Sequence, residues 1–282
     1  MDGFLLINKP KGLTSHDVVF KIKKKLHVDK IGHTGTLDPF ACGLLILCLG
    51  KATKLAYMFS DLDKAYEGTI VFGKHYDTYD TTGQIMDEKE PLFNEEDLKN
   101  AMDSLKGRYQ QLPPMYSAIK VDGQKLYQLA RKGLDVERDT REVQIYEFDM
   151  KSKLSTNQFG FYTSVSKGTY IRSLAVDLAK KLNTFAALSS LNRLSIGNYH
   201  LKDAKTIENV APEHLISLND YFKTYPKIAL NDYMIKLVKN GVYLDERQTT
   251  INKPFIVIDE HNQMIAFYDV IGLNKYKPML IF

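Results

Sequence analysis

Two features of the sequence predict an α+β fold. Strand-like stretches are numerous and are interrupted by helices without regular strand–helix–strand alternation. Near residue 228 the texture changes to a short helix followed by alternating apolar runs. With 282 residues the chain is long enough for a large domain plus a small one. We expect a larger unit over residues 1–227 and a small, mostly-β unit over 228–282.

"GFLLINKPKGLTS" reads as a short strand, a turn through Pro10 and Gly12, and a helix cap at Thr14 or Ser15. The helix runs through "HDVVFKIKKKL", with Val18, Val19, Ile22 and Leu26 on one face. "ACGLLILCLG" fits a buried strand or a buried helical segment, because periodicity does not separate the two in so short an apolar run. "KATKLAYMFS" reads as helix, and "KAYEGTIVFG" as an alternating strand ending at Gly73. "YDTYDTTGQIM" is a polar turn able to carry a short hairpin. "NEEDLKNAMDSLKG" is a helix capped by Asn94, with acids in its first turn and Gly107 at its end. The double proline in "YQQLPPMYSAIKVDGQKLYQLARKG" favours an extended entry; Asp122-Gly123 marks a turn, and "QKLYQLARKG" reads as helix. "REVQIYEFDMKSKL" and "QFGFYTSVSKGTY" are strands. "YIRSLAVDLAKKL" is amphipathic, with Ile171, Leu174, Ala175, Leu178 and Leu182 at helical spacing. "KIALNDYMIKLVKNGVYL" supplies a helix ending at Gly241, "FIVIDEHNQMIAFYDVIG" a hairpin turning at "EHNQ", and "KPMLIF" a last strand.

Composition narrows the function classes. No apolar run approaches the about 18 residues of a membrane span, and the first residues lack the basic start and apolar core of a secretory signal. Cys42 and Cys48 match no common zinc or redox spacing and read as buried thiols in a reducing cytoplasm. The seven histidines are scattered and suggest no metal cluster. Lys plus Arg number 38 against 34 acids, a net charge of +4, which permits a nucleic-acid partner without demanding one. "KIKKKLHVDK" concentrates cations just before a glycine-rich loop. Such a run is ordinarily a solvated helix face, but its place beside a candidate site raises the case for phosphate contact.

That loop, "GHTGTLDPFACG" at 32–43, sets one acid, Asp38, among glycines, threonines and a proline. Asp-Pro biases the acid toward extended backbone. Gly32 and Gly35 permit positive φ or close approach of another backbone. Backbone amides and the hydroxyls of Thr34 and Thr36 suit a phosphate, a ribose or the carboxylate itself. With no base or metal cluster nearby in sequence, a carboxylate nucleophile is more natural than metal-assisted chemistry. Taken alone, however, the dodecamer is better read as a tight turn.

The loop does not stand alone. "NKPKGLTS" (8–15), "GHTGTLDPFACGLL" (32–45), "KAYEGTIVFG" (64–73), "DTYDTTG" (77–83), "LPPMYSAIKVDGQKLYQLARKG" (112–133), "SKGTYIRSLAVDLAKKL" (166–182) and "LNRLSIG" (191–197) occur in this order. Together they closely resemble the TruB family of tRNA pseudouridine synthases over roughly residues 3–200, and the tail resembles a short PUA-type RNA-binding module. The resemblance implies a central mixed, largely antiparallel sheet flanked by helices, with a small PUA-like C-terminal domain. It implies isomerisation of uridine 55, in the T loop of tRNA, to pseudouridine, without metal or cofactor. Asp38 matches the family nucleophile, acting on a base flipped out of the RNA stack. Arg172 matches the arginine that pairs with it and keeps it ionised. Tyr66 matches the tyrosine that stacks on the flipped base, although a strand tyrosine on its own reads as core or hairpin packing. Tyr170 and Leu191 match further substrate contacts, although Leu191 on its own reads almost equally well as plain core. His33 matches the histidine that enters the T loop where the base was stacked. Lys9 and Pro10 match a motif that supports the catalytic loop. Tyr76 and Asn192 depart from the family, standing where many members have threonine and arginine. The resemblance implies a cytoplasmic monomer acting on the tRNA T-stem-loop, with no membrane, obligatory protein or guide-RNA partner. Two other classes compete: a non-catalytic RNA-binding or tRNA-folding protein, and a guide-RNA-dependent pseudouridine synthase. The three intact positions Asp38, Tyr66 and Arg172 weigh against the first. The compact C-terminus, without long basic extensions, weighs against the second.

Overall fold

The computed structural model describes residues 1–121 and 123–282. Of the expected Asp122-Gly123 turn, Asp122 lies outside the described residues. Among those described, ten strands form one sheet. Its main path runs Ile216–Ser217, Gly3–Lys9, Cys42–Leu49, Ala186–Ile196, Lys64–Phe72, Gln158–Val165, Arg141–Ser155, Gly107–Gln111. Ile31–His33 and Tyr199–His200 attach at its side. Every pairing is antiparallel except one, between Cys42–Leu49 and Ala186–Ile196. The sheet is therefore mixed and largely antiparallel, as expected.

The apolar run "GLLILCL" is a strand, Cys42–Leu49, because both of its faces are covered. Leu45, Leu47 and Leu49 pack with Leu5 and Ile7 against Val18, Val19 and Ile22 of the helix Ser15–Leu26. Leu44, Ile46 and Cys48 point the other way, into a cluster with Phe4 and Phe59. A strand buried on two sides loses polar alternation, which is why periodicity alone left it ambiguous. On the far half of the sheet, the helices Glu95–Asp103 and Ile171–Lys181 bury Leu98, Met102, Leu174 and Leu178 against Ile70, Phe72, Phe148 and Phe161.

Several expected boundaries move. Asn94 caps its helix through bonds to Glu96 and Asp97 amides, but the helix stops at Asp103, and Gly107 opens the next strand instead of closing the helix. Gln124–Lys125 pair with Lys120–Val121 as a small ladder, which confines the following helix to Leu126–Ala130. The "KATKLAYMFS" segment is a 3₁₀ stretch, Gly50–Leu55, followed by the single turn Tyr57–Ser60. Lys227–Ala229 forms a strand, so the next helix starts only at Asp232, capped by Asn231.

The last part of the chain builds a five-stranded sheet: Lys227–Ala229, Phe255–Ile258, Met264–Gly272, Lys275–Ile281 and Leu244–Asp245, in that order. Phe255 and Val257 pack with Ile235 and Val238 of the helix Asp232–Lys239. Ile256 and Ile258, one residue out of phase, join Phe267 and Leu280 in the same buried cluster as Phe4, Leu44 and Phe59. The small sheet thus shares a core with the large one. No helix among the described residues is long and apolar enough to cross a membrane.

Candidate active site

The loop 34–41 is held from three sides. Thr34 N–H donates to the Ile46 carbonyl (3.1 Å) and Gly12 N–H to the Pro39 carbonyl (2.7 Å). Buried Ser15 both accepts from Leu37 N–H (2.9 Å) and donates to the Leu37 carbonyl (3.2 Å). Arg193, 2% exposed, reaches across from the Ala186–Ile196 strand. Its guanidinium donates to the carbonyls of Leu44 (2.7 Å), Gly35 (3.2 Å) and Thr36 (3.4 Å). Lys9, fully buried, donates to the carbonyls of Pro10 (2.9 Å) and Leu13 (2.7 Å), and so braces the turn that leads to Gly12. Burial pulls its ammonium down to about 8, against the opposing pull of Cys42 and Asp38. These contacts agree with a supporting part for Lys9 and Pro10.

Gly32 and Gly35 are not the permissive positions expected: neither has a left-handed backbone, and neither would meet a close atom with a side chain. The demanding glycines flank the loop. Gly12 turns at φ +91 to reach Pro39. Gly43, at φ +107, lies in the parallel pairing, where a Cβ would fall 2.4 Å from the Arg193 carbonyl oxygen.

Arg172 enters from the first turn of the helix Ile171–Lys181. The start of that helix is clamped to the neighbouring strand. Gln111 accepts from Tyr170 N–H (2.8 Å) and donates to the Tyr170 carbonyl (3.2 Å), while Ser173 Oγ donates to the Leu112 carbonyl (2.8 Å). From this base the guanidinium meets Asp38 with two bonds, Nε to Oδ2 at 2.8 Å and Nη2 to Oδ1 at 3.1 Å. Its remaining reach is taken by the carbonyls of Thr78 (2.8 Å) and Tyr116 (2.7 Å). The Arg172 side chain is 5% exposed and that of Asp38 33%, so the pair presents its carboxylate side to solvent. Burial pushes the Asp38 carboxyl above the usual carboxylate range; Arg172 pulls it back, and Asp80 adds to the push.

The pair lies in the wall of a cavity of about 870 Å³, whose lining also includes His33, Asp80, Tyr116 and Ser117. Cations border it: Lys11, Lys125 and Arg131, the last two with their charges 5.7 and 5.5 Å from the Tyr127 ring. The His33 Nδ1 is buried without a partner, and burial, then Arg193, holds its imidazole below the usual value, so it is neutral at physiological pH. A cavity lined by a carboxylate, cations and an aromatic ring suits a polyanionic ligand carrying a planar group.

The structure thus gathers Asp38, Arg172 and His33 around one space. Tyr66 and Leu191 lie beneath it, 8% and 6% exposed, in the cluster that holds Leu37, Phe40 and Ile171, and neither is in the cavity lining. Tyr170 is half-buried at the helix cap, its ring 5.7 Å from the Arg141 guanidinium. Asn192, where the family favours arginine, donates to Glu67 Oε1 (2.9 Å) and accepts from the half-buried Cys42 thiol (3.5 Å). Of the two cysteines only Cys48 is fully buried. Lysines 21, 23, 24 and 25 are a solvated face, apart from Lys25, whose ammonium holds the carbonyls of Ile207 and Glu208. Two residues escaped the sequence reading, Arg193 and Asp80. Both lie inside motifs that carry the family resemblance, but their burial comes from contacts distant in sequence.

The sequence pattern of the TruB family pseudouridylate synthase N-terminal domain matches residues 23–171. A protein of Aster yellows witches'-broom phytoplasma (strain AYWB) named tRNA pseudouridine synthase B is 53% identical over 100% of both chains. Proteins of the same name from Acholeplasma laidlawii (strain PG-8A) and Borreliella burgdorferi (strain ZS7) are 53% and 40% identical, each over 100% of this chain and 100% and 99% of their own. Among solved structures, a chain in the crystal structure of a Cbf5-Nop10-Gar1 complex superimposes with a TM-score of 0.69 at 22% identity, over 96% of this chain and 79% of its own. A chain of the archaeal box H/ACA sRNP Nop10-Cbf5 complex gives 0.69 at 19% identity, over 99% and 86%. At those identities the likeness speaks for the fold.

Proposed function

The chain belongs to the TruB family of pseudouridylate synthases, and on that premise we propose that it isomerises uridine 55 in the T loop of tRNA to pseudouridine, with Asp38 as nucleophile. The observation that carries this reading is the two-bonded Arg172–Asp38 pair in the wall of a cation-bordered cavity. In the reaction the bond from N1 of the base to the sugar breaks and one from C5 forms, while the C5 proton leaves and N1 gains one. Nothing is oxidised or reduced. The enzyme must therefore hold a detached base beside a charged nucleophile and let it turn.

The residues divide this work. Arg172 fixes both carboxylate oxygens of Asp38 in one plane, a task for its rigid fork. The loop carbonyls bound by Arg193 and the turn braced by Lys9 keep the carboxylate from retreating. Tyr66, buried beside Leu37 and Phe40, is assigned the face that meets the uracil once tRNA binding uncovers it, with Leu191 and Tyr170 as further contacts. His33, neutral and with a free ring nitrogen, occupies the space the base leaves in the T loop. Lys125, Tyr127 and Arg131 receive backbone phosphates and a neighbouring base. We assign residues 228–282 a share in RNA binding, as a PUA-like unit joined to the catalytic unit 1–227.

The test is the purified protein alone on an unmodified tRNA transcript, read by carbodiimide labelling of pseudouridine. One T-loop uridine becomes labelled; a requirement for an added guide RNA points instead to a guide-dependent enzyme, and binding without conversion to a tRNA-folding protein. A minimal T-arm hairpin is also a substrate, whereas an unstructured strand of the same sequence is not. Tyr66→Ala removes the stacking platform, worth about 1–3 kcal/mol per base. Because that contact forms only once the base is out, single-turnover conversion falls more than tRNA affinity. Tyr66→Phe keeps the ring and retains binding. Wild-type conversion by Tyr66→Ala removes the stacking assignment.

A further inference from the structure

Tyr79 sits in the left-handed region, at φ 63. Bulky residues avoid that region, where Cβ crowds the following carbonyl oxygen, and they persist there only when their surroundings enforce it. The surroundings here are specific. Tyr79 N–H donates to the Tyr76 carbonyl (3.1 Å), and its own carbonyl accepts from Leu188 N–H (3.1 Å). Thr81 N–H donates to the Leu188 carbonyl (2.9 Å), so the chain on both sides of Asp80 is docked on one residue of the Ala186–Ile196 strand. The Tyr79 ring lies 6.0 Å from that of His75, which in turn stacks on Phe185 at 5.4 Å.

Of the two residues beside Tyr79, Thr78 bonds the ion pair and Asp80 lines its cavity. The Thr78 carbonyl accepts from Arg172 Nη1 at 2.8 Å. Asp80 is 5% exposed and lines the same cavity as Asp38, with its carboxylate held by the Thr82 amide (3.0 Å) and hydroxyl. We infer that Tyr79 is a positioning residue for the isomerisation: its left-handed backbone turns the chain so that the Thr78 carbonyl stays on Arg172 while Asp80 lines the same cavity. The backbone conformation carries this role, and the ring, packed on His75, keeps it from relaxing. Arg172 is aimed by two fixed carbonyls, from Thr78 and Tyr116. Loss of one lets the fork tilt while its charge stays in place. The inference rests on the parts proposed above for Asp38 and Arg172.

The experiment compares Tyr79→Asn, Tyr79→Phe and Tyr79→Val. Asparagine accepts the left-handed region without the ring, phenylalanine keeps the ring, and valine is the least able to adopt the conformation. Expected are near wild-type single-turnover rates for Asn and Phe, and a rate about tenfold lower for Val with tRNA affinity unchanged. Crystal structures supply a readout independent of activity: the Thr78 carbonyl stays on Arg172 in Asn and Phe, and leaves it in Val. Should Val fail to fold, Tyr79→Ala, with an intermediate penalty, takes its place. The inference is overturned if Asn loses as much turnover as Val, or if Val keeps both the rate and the contact. A wild-type enzyme that converts no tRNA removes the proposed function, whereas the distances still decide whether Tyr79 sets the Thr78 carbonyl.

Discussion

Asp38→Asn abolishes pseudouridine formation and leaves tRNA binding close to wild type. The substitution keeps size and planarity but replaces a charged oxygen with an amide nitrogen, so one of the two Arg172 bonds now meets a donor instead of an acceptor. Removing a covalent nucleophile costs on the order of 10⁴–10⁶-fold in turnover. On the proposed reading, affinity is carried elsewhere, by phosphate contacts and stacking along the RNA through residues such as Lys125, Tyr127 and Arg131, and these act without regard to the chemistry at Asp38. The fold also survives, because the loop is held through backbone groups by Ser15, Gly12 and Arg193 and not through the carboxylate. Single-turnover conversion measured beside filter binding reads both halves. Conversion near the wild-type rate removes Asp38 as nucleophile.

How far this site could be read in advance depended on which residues carried a local signal. The helix Ser15–Leu26 was legible because Thr14 closes a capping box with Asp17 and the apolar residues repeat at helical spacing. The hairpin of Phe255–Ile258 with Met264–Gly272 was legible from alternation around a polar turn. The strand Ala186–Ile196, which lies at the centre of the large sheet, left no such trace. Its register shifts between Leu188 and Ser190 and again between Arg193 and Ser195, and each bulge resets the inward and outward alternation. "LSSLNRLSI" therefore shows no steady period, although the strand supplies Arg193 and the docking edge for Tyr79.

The site divides in the same way. Asp38 stood out only by its setting, and from its own dodecamer a tight turn was the better account. Its assignment came from several motifs occurring together in order. Nothing local in "LNRLSIG" marks Arg193 as buried. What buries it is the loop carrying Gly35 and Thr36 together with Leu44 of the following strand, distant in sequence and brought alongside by the parallel pairing of Arg193 with Gly43. Asp80 was hidden for a related reason. "DTYDTTG" reads as a polar turn, and only the left-handed step at Tyr79 and the docking on Leu188 make it part of the cavity wall. Local rules found the elements; the long-range contacts that create the site's electrostatics had no local counterpart.

Arg172→Lys retains the positive charge and loses most of the turnover. An ammonium is a point donor on a flexible stem, whereas the guanidinium meets Asp38 with two parallel bonds and spends its other N–H groups on Thr78 and Tyr116. A lysine in the first turn of this helix reaches one of these groups at a time. Misplacing the nucleophile by about 1 Å costs on the order of 10²-fold. Charge alone would keep Asp38 ionised, so the pH profile separates the two contributions of Arg172. In the wild type, burial raises the Asp38 carboxyl and Arg172 pulls it down. In the proposed reaction the working form is the carboxylate, so kcat/KM falls as pH drops through that raised value, and the acid limb lies above the ordinary carboxylate range. The lysine variant loses part of the pull, through fewer hydrogen bonds and a less well-placed charge, and its limb moves to higher pH. Burial also lowers the His33 imidazole, which titrates without changing the Asp38 charge, so His33→Gln leaves the limb in place. The measurement is kcat/KM against pH for wild type, Arg172→Lys and His33→Gln, with thermal unfolding as the control for the fold. An unchanged turnover in the lysine variant, or a limb displaced to lower pH, means that Arg172 does not hold and ionise Asp38.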